Sequence, residues 1–163
     1  VKIVLVTHTF EPIYNHDSEI LILGSIPSVK SRENCFYYGH PRNRFWKVIS
    51  AVLQCAEPES IEEKKQMLLA HRVALWDVIH SCEIHGSSDG SIRNVVPNDI
   101  RPILEASKIS RVFANGSAAG RLYRKFCEND TRLSAEVLPS TSPANASYSL
   151  GRLVEVWSGR FNG

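Results

Sequence analysis

Short apolar runs alternate along the chain with stretches whose apolar residues recur at helical spacing. This alternation restricts the possible fold classes more than any other feature of the sequence. Buried strands are predicted at four short runs, residues 20–23, 73–76, 111–114 and 136–138. Helices are predicted between and after them, at residues 44–55, 60–69, 98–104, 117–126 and 147–157. Strands that alternate with helices predict an α/β fold with a mainly parallel sheet of four short strands.

Polar residues stand where several of these helices are predicted to begin. Such residues accept hydrogen bonds from the first free N–H groups of a helix. The candidate caps are Ser60 with Glu63 three residues later, Asn98 or Asp99, Ser117, and Ser147.

Each predicted strand ends in small polar residues. Gly24-Ser25 follows the first strand, Asp77 the second, Asn115-Gly116 the third and Ser140-Thr141-Ser142 the fourth. Open parallel sheets bind ligands beyond the carboxyl ends of their strands, near the point where the strand order reverses. We therefore predict that these four loops form one site.

Composition excludes several classes of protein. The length of 163 residues fits one compact domain, residues 1–163. The net charge of +2 is too small to indicate a polyanionic partner by itself. The four cysteines lack the spacing of zinc or iron–sulfur sites, so no bound metal is expected. Without a recognisable signal peptide we expect a cytoplasmic protein, and the apolar residues 1–6 are too few to cross a membrane.

The loop after the first predicted strand is a candidate ligand site. Gly24, Ser25, Ile26, Pro27 and Ser28 combine a glycine with small side chains, so a ligand can approach the backbone and its N–H groups. The alternative is an ordinary tight turn. A small-molecule hydrolase that uses Ser25 or Ser28 is less well supported, because the G-x-S-x-G elbow is absent.

Residues 36–46 form the most unusual segment of the chain. They place aromatic rings, two arginines, a histidine and an asparagine immediately before a predicted helix. Rings beside cations suit stacking on bases and contact with phosphates. The alternative gives Asn43 the role of helix N-cap and puts Phe45 and Trp46 in the core.

This segment carries a resemblance to a known family. Residues 38–49 (YGHPRNRFWKVI) resemble the segment after motif 1 in mismatch-specific uracil-DNA glycosylases. The wider set resembles the hypoxanthine-DNA glycosylase branch of the uracil-DNA glycosylase superfamily still more closely. That set comprises Phe10-Glu11-Pro12, Leu21-Ile22-Leu23-Gly24-Ser25, Trp76-Asp77-Val78-Ile79 and Ser140-Thr141-Ser142-Pro143-Ala144-Asn145. The similarity runs from about residue 10 to residue 157, in the motif order of the family.

The resemblance implies a fold and an activity. It implies a three-layer α/β/α domain whose short parallel sheet receives a base flipped out of DNA, with no metal or cofactor. The implied enzyme is a monofunctional glycosylase that releases a deaminated base, hypoxanthine before uracil. We expect DNA that contains a damaged base as its partner and a monomer as its state of assembly. No lysine stands at a matched motif position, so lyase chemistry is not expected. Rival functions are a nucleic-acid or nucleotide-binding module without catalysis, and the serine hydrolase.

The resemblance also assigns roles to residues. Many members hold the attacking water with an Asp or Asn in motif 1; here Ser25 occupies that region, and Asn43 is expected to act through its amide oxygen instead. We thus expect Asn43 and Ser25 to be catalytic. The expected base pocket consists of Gly24, Ile26, Pro27, Tyr38 as stacking ring, Asp77 as reader of the base edge, and Asn115. The expected DNA contacts are Ser28, Arg42, Ser140, Ser142, Pro143, Ala144 and Asn145.

Three of these assignments have plain structural alternatives. Asp77 could be a cap or an ion-pair partner on the rim of the sheet, and Tyr38 could be a core aromatic. Residues 140–145 could be an ordinary Ser/Pro turn, followed by Ser147 as the cap of the last helix.

Overall fold

The structure, a computed structural model, describes residues 3–8, 10–34, 36–85 and 91–163. The strands are β1 (Ile3–Thr7), β2 (Ile20–Gly24), β3 (Val73–Asp77), β4 (Ile79–His85), β5 (Ile92–Pro97), β6 (Arg111–Asn115) and β7 (Ala135–Leu138). The helices are α1 (Val29–Asn34), α2 (Phe45–Val52), α3 (Ile61–Ala70), α4 (Arg101–Glu105), α5 (Ser117–Phe126), α6 (Glu128–Thr131) and α7 (Leu150–Phe161). None of these helices is long and apolar enough to cross a membrane.

A four-stranded parallel sheet forms the centre of the fold, with strand order β3-β2-β6-β7. These are the four strands predicted from the apolar runs. The central strands carry apolar residues on both faces, as a parallel sheet covered on both sides requires. The predicted α/β class with a short parallel sheet is confirmed.

Helices cover both faces of this sheet. On one face Ile22, Leu75 and Phe113 pack against residues of α2, α3 and α7, including the fully buried Trp157. On the other face Leu21, Leu23, Ala74 and Val112 pack against α4 and α5. Because neighbouring strand residues point to opposite faces, the two cores use alternate residues of the same strands. The predicted three-layer α/β/α arrangement is confirmed.

A second sheet was not predicted. It is antiparallel, with strand order β1-β4-β5, and β1 pairs with β4 so that Val6 faces Cys82. β1 contains an apolar run at residues 3–6, which was considered above only as a membrane segment, whereas β4 and β5 lack such runs. A single residue separates β3 from β4, with no turn signal between them. The pairing of β1 with β4 joins residues about 80 positions apart in the chain, which no local pattern can indicate.

One predicted helix cap was correct, and the cap of the last helix was misplaced by two residues. Ser60 caps α3 as predicted, because its side chain accepts a hydrogen bond from the N–H of Glu63. The prediction that Ser147 caps the last helix was wrong. Ser149 is the cap, accepting from Arg152 N–H, and the helix continues to Phe161.

Two other predicted caps were also wrong. Gly116 precedes α5 with a positive φ of 97°, which glycine adopts without strain, and Ser117 is the first helical residue. Ile100 precedes α4, while Asp99 accepts from the N–H of Arg101 without occupying the cap position. Asn98 points inward and donates to backbone carbonyls of β3 and β4.

Candidate active site

The strand order of the parallel sheet reverses between β2 and β6. The chain passes from β2 to β3 on one side and returns to β6 on the other. A pocket of about 580 Å³ opens at the carboxyl ends of these strands, where the topology predicts a ligand site. That volume lies in the range of small-molecule sites.

Most of the residues selected from the sequence line this pocket. They are Gly24, Ser25, Ile26, Pro27, Ser28, Tyr38, Asn43, Asp77, Asn115, Ser140 and Ser142. The four remaining selected residues do not line it: Arg42, Pro143 and Ala144 are exposed, and Asn145 is partly buried. The predicted convergence of four strand-end loops is therefore observed.

Asn43 contacts both α2 and the loop after β7. Its Oδ1 accepts a hydrogen bond from the N–H of Phe45 and another from Oγ1 of Thr141, each at 2.9 Å. These two donors occupy both lone pairs of the amide oxygen. The N–H groups of Nδ2 have no acceptor among the described residues. The alternative that Asn43 is the N-cap of α2 was wrong, because Arg44 occupies that position, although the Asn43 oxygen accepts from the first N–H of the helix. The amide nitrogen, rather than the oxygen, is free for a ligand.

Neighbouring hydrogen bonds support this orientation of the Asn43 amide. The backbone N–H of Thr141 can only donate, and it donates to Oδ1 of Asn115 at 3.1 Å. Nδ2 of Asn115 then donates to Oγ1 of Thr141 at 3.0 Å, so the hydroxyl proton of Thr141 is directed to Asn43. A reversed Asn43 amide would place N–H groups against two donors.

Asp77 ends β3 and is 4% exposed. Its Oδ2 lies 2.8 Å from Nε2 of His8, and both side chains are almost fully buried. Its Oδ1 lies above Gly24 in the neighbouring strand, on the side of Tyr38. His8 therefore binds one carboxylate oxygen, and the other lies beside Gly24 and Tyr38, two residues that line the pocket.

Gly24 leaves space that no other residue type would leave. A Cβ atom at this position would lie 2.3 Å from Oδ1 of Asp77 and 3.0 Å from the hydroxyl of Tyr38. The first distance is far below van der Waals contact. The carboxylate and the phenol therefore converge over the Cα of Gly24 because no side chain separates them.

Tyr38 packs in the core with one end towards the site. Its ring stacks on Phe45 with centroids 4.1 Å apart, and its φ of 53° is uncommon for a bulky residue. Its buried hydroxyl has no hydrogen-bond partner among the described residues. Burial first, and then the Asp77 carboxylate, raise the pKa of Tyr38 far above the usual phenol range, opposed by the nearby Asn115 amide. The phenol therefore remains protonated at neutral pH.

The loop after β2 has none of the contacts of a serine nucleophile. The hydroxyl of Ser28 accepts from the N–H of Ser31 and donates to its hydroxyl. The side chain of Ser25 makes no hydrogen bond within the described residues, and neither serine contacts a histidine there. This geometry does not favour the hydrolase alternative.

Arg44 organises the loop after β7, a role that the sequence patterns did not indicate. Its guanidinium donates to the backbone carbonyls of Thr141, Ser142, Asn145 and Tyr148. Within the loop, Ser142 accepts from the N–H of Ala144, and Asn145 donates to the carbonyl of Ser140. The loop is thus fixed by hydrogen bonds, with Pro143 and Ala144 at its exposed tip.

His8 and Thr141 were also missed as site residues. Both are buried and both fix a selected side chain, His8 that of Asp77 and Thr141 those of Asn43 and Asn115. Across the described ranges, no group of three or more His, Cys, Asp or Glu side chains could hold a metal ion.

Comparisons with known proteins agree on one family. The sequence model of the uracil DNA glycosylase superfamily matches residues 11–158. A hypoxanthine DNA glycosylase of Methanosarcina acetivorans is 33% identical over 159 residues, covering 96% of this chain and 99% of the relative. Another of that name, from Methanosarcina barkeri, is 29% identical over 113 residues, 68% of this chain and 72% of the relative. A solution NMR structure from Methanosarcina acetivorans, described as a candidate uracil DNA glycosylase, has a TM-score of 0.79 and 33% identity, covering 93% of this chain and 94% of that one.

Proposed function

This chain belongs to the uracil DNA glycosylase superfamily and is a DNA glycosylase, and we propose that the base it releases from DNA is hypoxanthine. The family resemblance of the motif string is confirmed by the match over residues 11–158. The name of the Methanosarcina acetivorans relative, which this chain matches over nearly its whole length, supports hypoxanthine as the substrate base.

The observation that carries the proposal is the pair of groups above Gly24. The Asp77 carboxylate is a hydrogen-bond acceptor, and the protonated Tyr38 phenol beside it can donate. Hypoxanthine presents an N1–H donor next to its O6 acceptor, which complements this pair. Adenine presents a bare N1, which a carboxylate repels. A polar site of this kind rejects bases that leave its buried groups unpaired.

The reaction is hydrolysis of one bond. The C1′–N9 bond of the flipped nucleotide breaks, its electron pair leaves with the base, and a water oxygen bonds to C1′. The water gives up a proton and the departing base takes up a proton, so free hypoxanthine and an abasic sugar result. Negative charge develops on the base, and hydrogen-bond donors that face it lower the barrier.

Asn43 and Ser25 are the proposed catalytic residues. The sequence assigned the water to the amide oxygen of Asn43, but the contacts of that oxygen with Phe45 and Thr141 favour the amide nitrogen. We propose that Nδ2 of Asn43 donates to the attacking water or the departing base. The Ser25 hydroxyl, which lines the pocket and makes no hydrogen bond to the residues that the structure describes, is the second proposed donor.

The sequence suggested Tyr38 either as part of the base pocket or as a core aromatic residue, and the proposed role combines the two. Its contact with Phe45 supports a packed ring. Its hydroxyl, which has no hydrogen-bond partner within the ranges that the structure describes, supports contact with the base oxygen. Ile26, Pro27 and Asn115 are proposed to complete the base pocket.

The proposed DNA-binding surface surrounds the pocket mouth. The exposed Arg42 suits a phosphate contact, as do Ser28 and Ser140 at the rim. The loop from Ser142 to Asn145 is proposed to enter the groove beside the flipped nucleotide, with Pro143 and Ala144 at its tip. Pre-ordering by Arg44 reduces the entropy lost on docking.

Assembly and location are further proposals. We propose that residues 1–163 form one catalytic domain, which the family match over residues 11–158 supports, and that the protein acts as a monomer. Cys55, Cys82 and Cys127 are free thiols, which supports a reducing, cytoplasmic location.

The base spectrum tests the proposed function. Oligonucleotides that carry hypoxanthine, uracil, xanthine or mismatched thymine are incubated with the protein and then cleaved with alkali at abasic sites. Hypoxanthine should be released fastest under single-turnover conditions. Uracil has the same N–H and carbonyl arrangement and is the second candidate base. DNA binding without release of any of these bases would favour the non-catalytic alternative.

Replacing Asp77 with Asn should reduce hypoxanthine release about 10- to 100-fold. When the amide oxygen of the new residue accepts from His8, its N–H groups face the N1–H of the base, so that two donors oppose each other. Turning the amide to avoid this would break the contact with His8. Single-turnover rates for hypoxanthine and uracil in matched duplexes measure the effect. Asp99→Asn, a change at an exposed residue that does not line the pocket, is the control. An unchanged rate for hypoxanthine would refute the reading role.

Replacing Ser142 and Asn145 together with Ala should weaken base release more in a duplex than in a single strand. These side chains hold the loop, and only a duplex requires a paired base to be forced out. We expect a loss of about 30-fold in duplex, equivalent to roughly 1 kcal/mol for each of the two hydrogen bonds, and about 2-fold in single strand. Parallel binding and cleavage assays measure both, with the exposed Ser134→Ala as control. Equal losses on the two substrates would argue against a groove-inserting loop.

A further inference from the structure

The contact between His8 and Asp77 joins two parts of the fold that are far apart in sequence. His8 follows β1 of the antiparallel sheet, and Asp77 ends β3 of the parallel sheet. Nε2 of His8 lies 2.8 Å from Oδ2 of Asp77, and their side chains are only 2% and 5% exposed. A buried carboxylate at this distance from an imidazole nitrogen accepts a hydrogen bond from it.

Several contacts hold the His8 ring in one orientation. The ring of Phe10 lies 4.5 Å from it between centroids, and the rings of Tyr37 and Trp76 lie 6.0 and 6.4 Å away. The backbone N–H of His8 donates to the carbonyl of His80 at 2.6 Å, which attaches this segment to β4. The imidazole is therefore a fixed donor.

A fixed donor on one oxygen determines where the other oxygen points. Rotation of the Asp77 side chain would break the bond to His8 and leave a buried donor unpaired, which is costly. With Oδ2 bound, Oδ1 remains over Gly24 beside the Tyr38 hydroxyl. That is the oxygen to which the proposed function assigns the N1–H of the base.

We infer that His8 is a positioning and specificity-determining residue that acts on the flipped base through Asp77. It orients the carboxylate so that one oxygen remains available to a base that carries an N–H next to a carbonyl. This inference rests on the proposed reading role of Asp77. His8 is not among the residues that line the pocket, so it acts through Asp77 and not by direct contact.

A pair of substitutions at His8 separates hydrogen bonding from packing. Gln places its amide nitrogen near the position of Nε2, whereas the shorter Asn does not reach it. Single-turnover release of hypoxanthine should fall roughly 10- to 100-fold in His8→Asn, as expected for loss of a hydrogen bond to a charged group, and recover to within about 3-fold of wild type in His8→Gln. Equal losses in the two variants, or no loss in His8→Asn, would overturn the inference.

A double variant tests whether His8 acts through Asp77. The loss in His8→Asn with Asp77→Asn should match that of Asp77→Asn alone within about 2-fold, because residues that act as one unit are not additive. Multiplying losses would overturn the inference but leave the reading role intact. Wild-type activity in Asp77→Asn would overturn both.

Val6→Ala is the matched stability control. Val6 is 3% exposed and lies in β1, two residues before His8, so its truncation weakens the same segment without touching the carboxylate. Its melting temperature should fall while its rate at 25 °C stays within about 2-fold of wild type. If His8→Asn does not fold, His8→Leu replaces it in the comparison with His8→Gln. Equal losses in His8→Leu and His8→Gln, or no loss in His8→Leu, would then overturn the inference.

Discussion

Replacing Asn43 with Ala should lower the single-turnover rate of hypoxanthine release by roughly 100-fold or more, the usual effect of removing a donor aimed at developing charge. The substitution removes the Nδ2 donors, which have no acceptor in the described part of the chain, and it also removes the oxygen that accepts from Phe45 and Thr141. Affinity for hypoxanthine-containing DNA should change little, because phosphate contacts provide most of it. Rates, equilibrium binding and melting temperatures are measured together.

The variant Asn43→Asp identifies the atom responsible. A carboxylate keeps an oxygen for Phe45 N–H and the Thr141 hydroxyl but lacks the two N–H groups. It should therefore be nearly as slow as Asn43→Ala while keeping more of the stability of the wild type. If Asn43→Asp is as active as wild type or faster, an oxygen that holds the water is the working group. If both variants lose stability and retain their rates, Asn43 is only a structural residue.

Replacing Gly24 with Ala should reduce base release by about 100-fold, a cost typical of misplacing a reacting or recognising group by about 1 Å. The added Cβ would lie 2.3 Å from Oδ1 of Asp77, so the carboxylate must move away from the position that the base is proposed to meet. The effect is measured as a single-turnover rate for hypoxanthine and for uracil. Both should fall, because both bases present an N–H to the same oxygen.

Gly151→Ala is the control for this substitution. Gly151 lies on the exposed side of α7, and a Cβ there meets nothing within 4 Å. Ala in place of Gly should leave base release unchanged and raise stability by up to about 1 kcal/mol, because Ala favours the helix. Gly24→Ala with a wild-type rate would show that the position of Asp77 does not govern base recognition.

Local sequence patterns predicted the parallel sheet and the edge of that sheet at which the pocket lies. The apolar run before Gly24 predicted a buried parallel strand, and the small polar residues at strand ends predicted the edge where Asp77 and Asn115 meet. Both predictions succeed for the same reason. A strand buried on both faces must be apolar throughout, and a parallel sheet brings the carboxyl ends of its strands together.

The supporting residues could not be predicted in the same way. His8 reaches Asp77 across 69 positions and Arg44 reaches Ser142 across 98, so no spacing within one helix or strand reports either contact. Thr141 stands between two selected serines but was not selected, because its role depends on the amides of Asn43 and Asn115. Such contacts follow from tertiary packing, which sequence periodicity does not encode.

Hydrolysis of the bond between hypoxanthine and deoxyribose in this pocket can be followed through both of its products. The most direct test incubates the protein with a duplex that holds one hypoxanthine, and measures free base by mass spectrometry and abasic sites by alkaline cleavage. We expect one free hypoxanthine for each abasic site, strands that remain intact until alkali is added, and near-complete loss of both products in Asn43→Ala. No free hypoxanthine from the wild type, or strand breaks that appear before alkali, would contradict it.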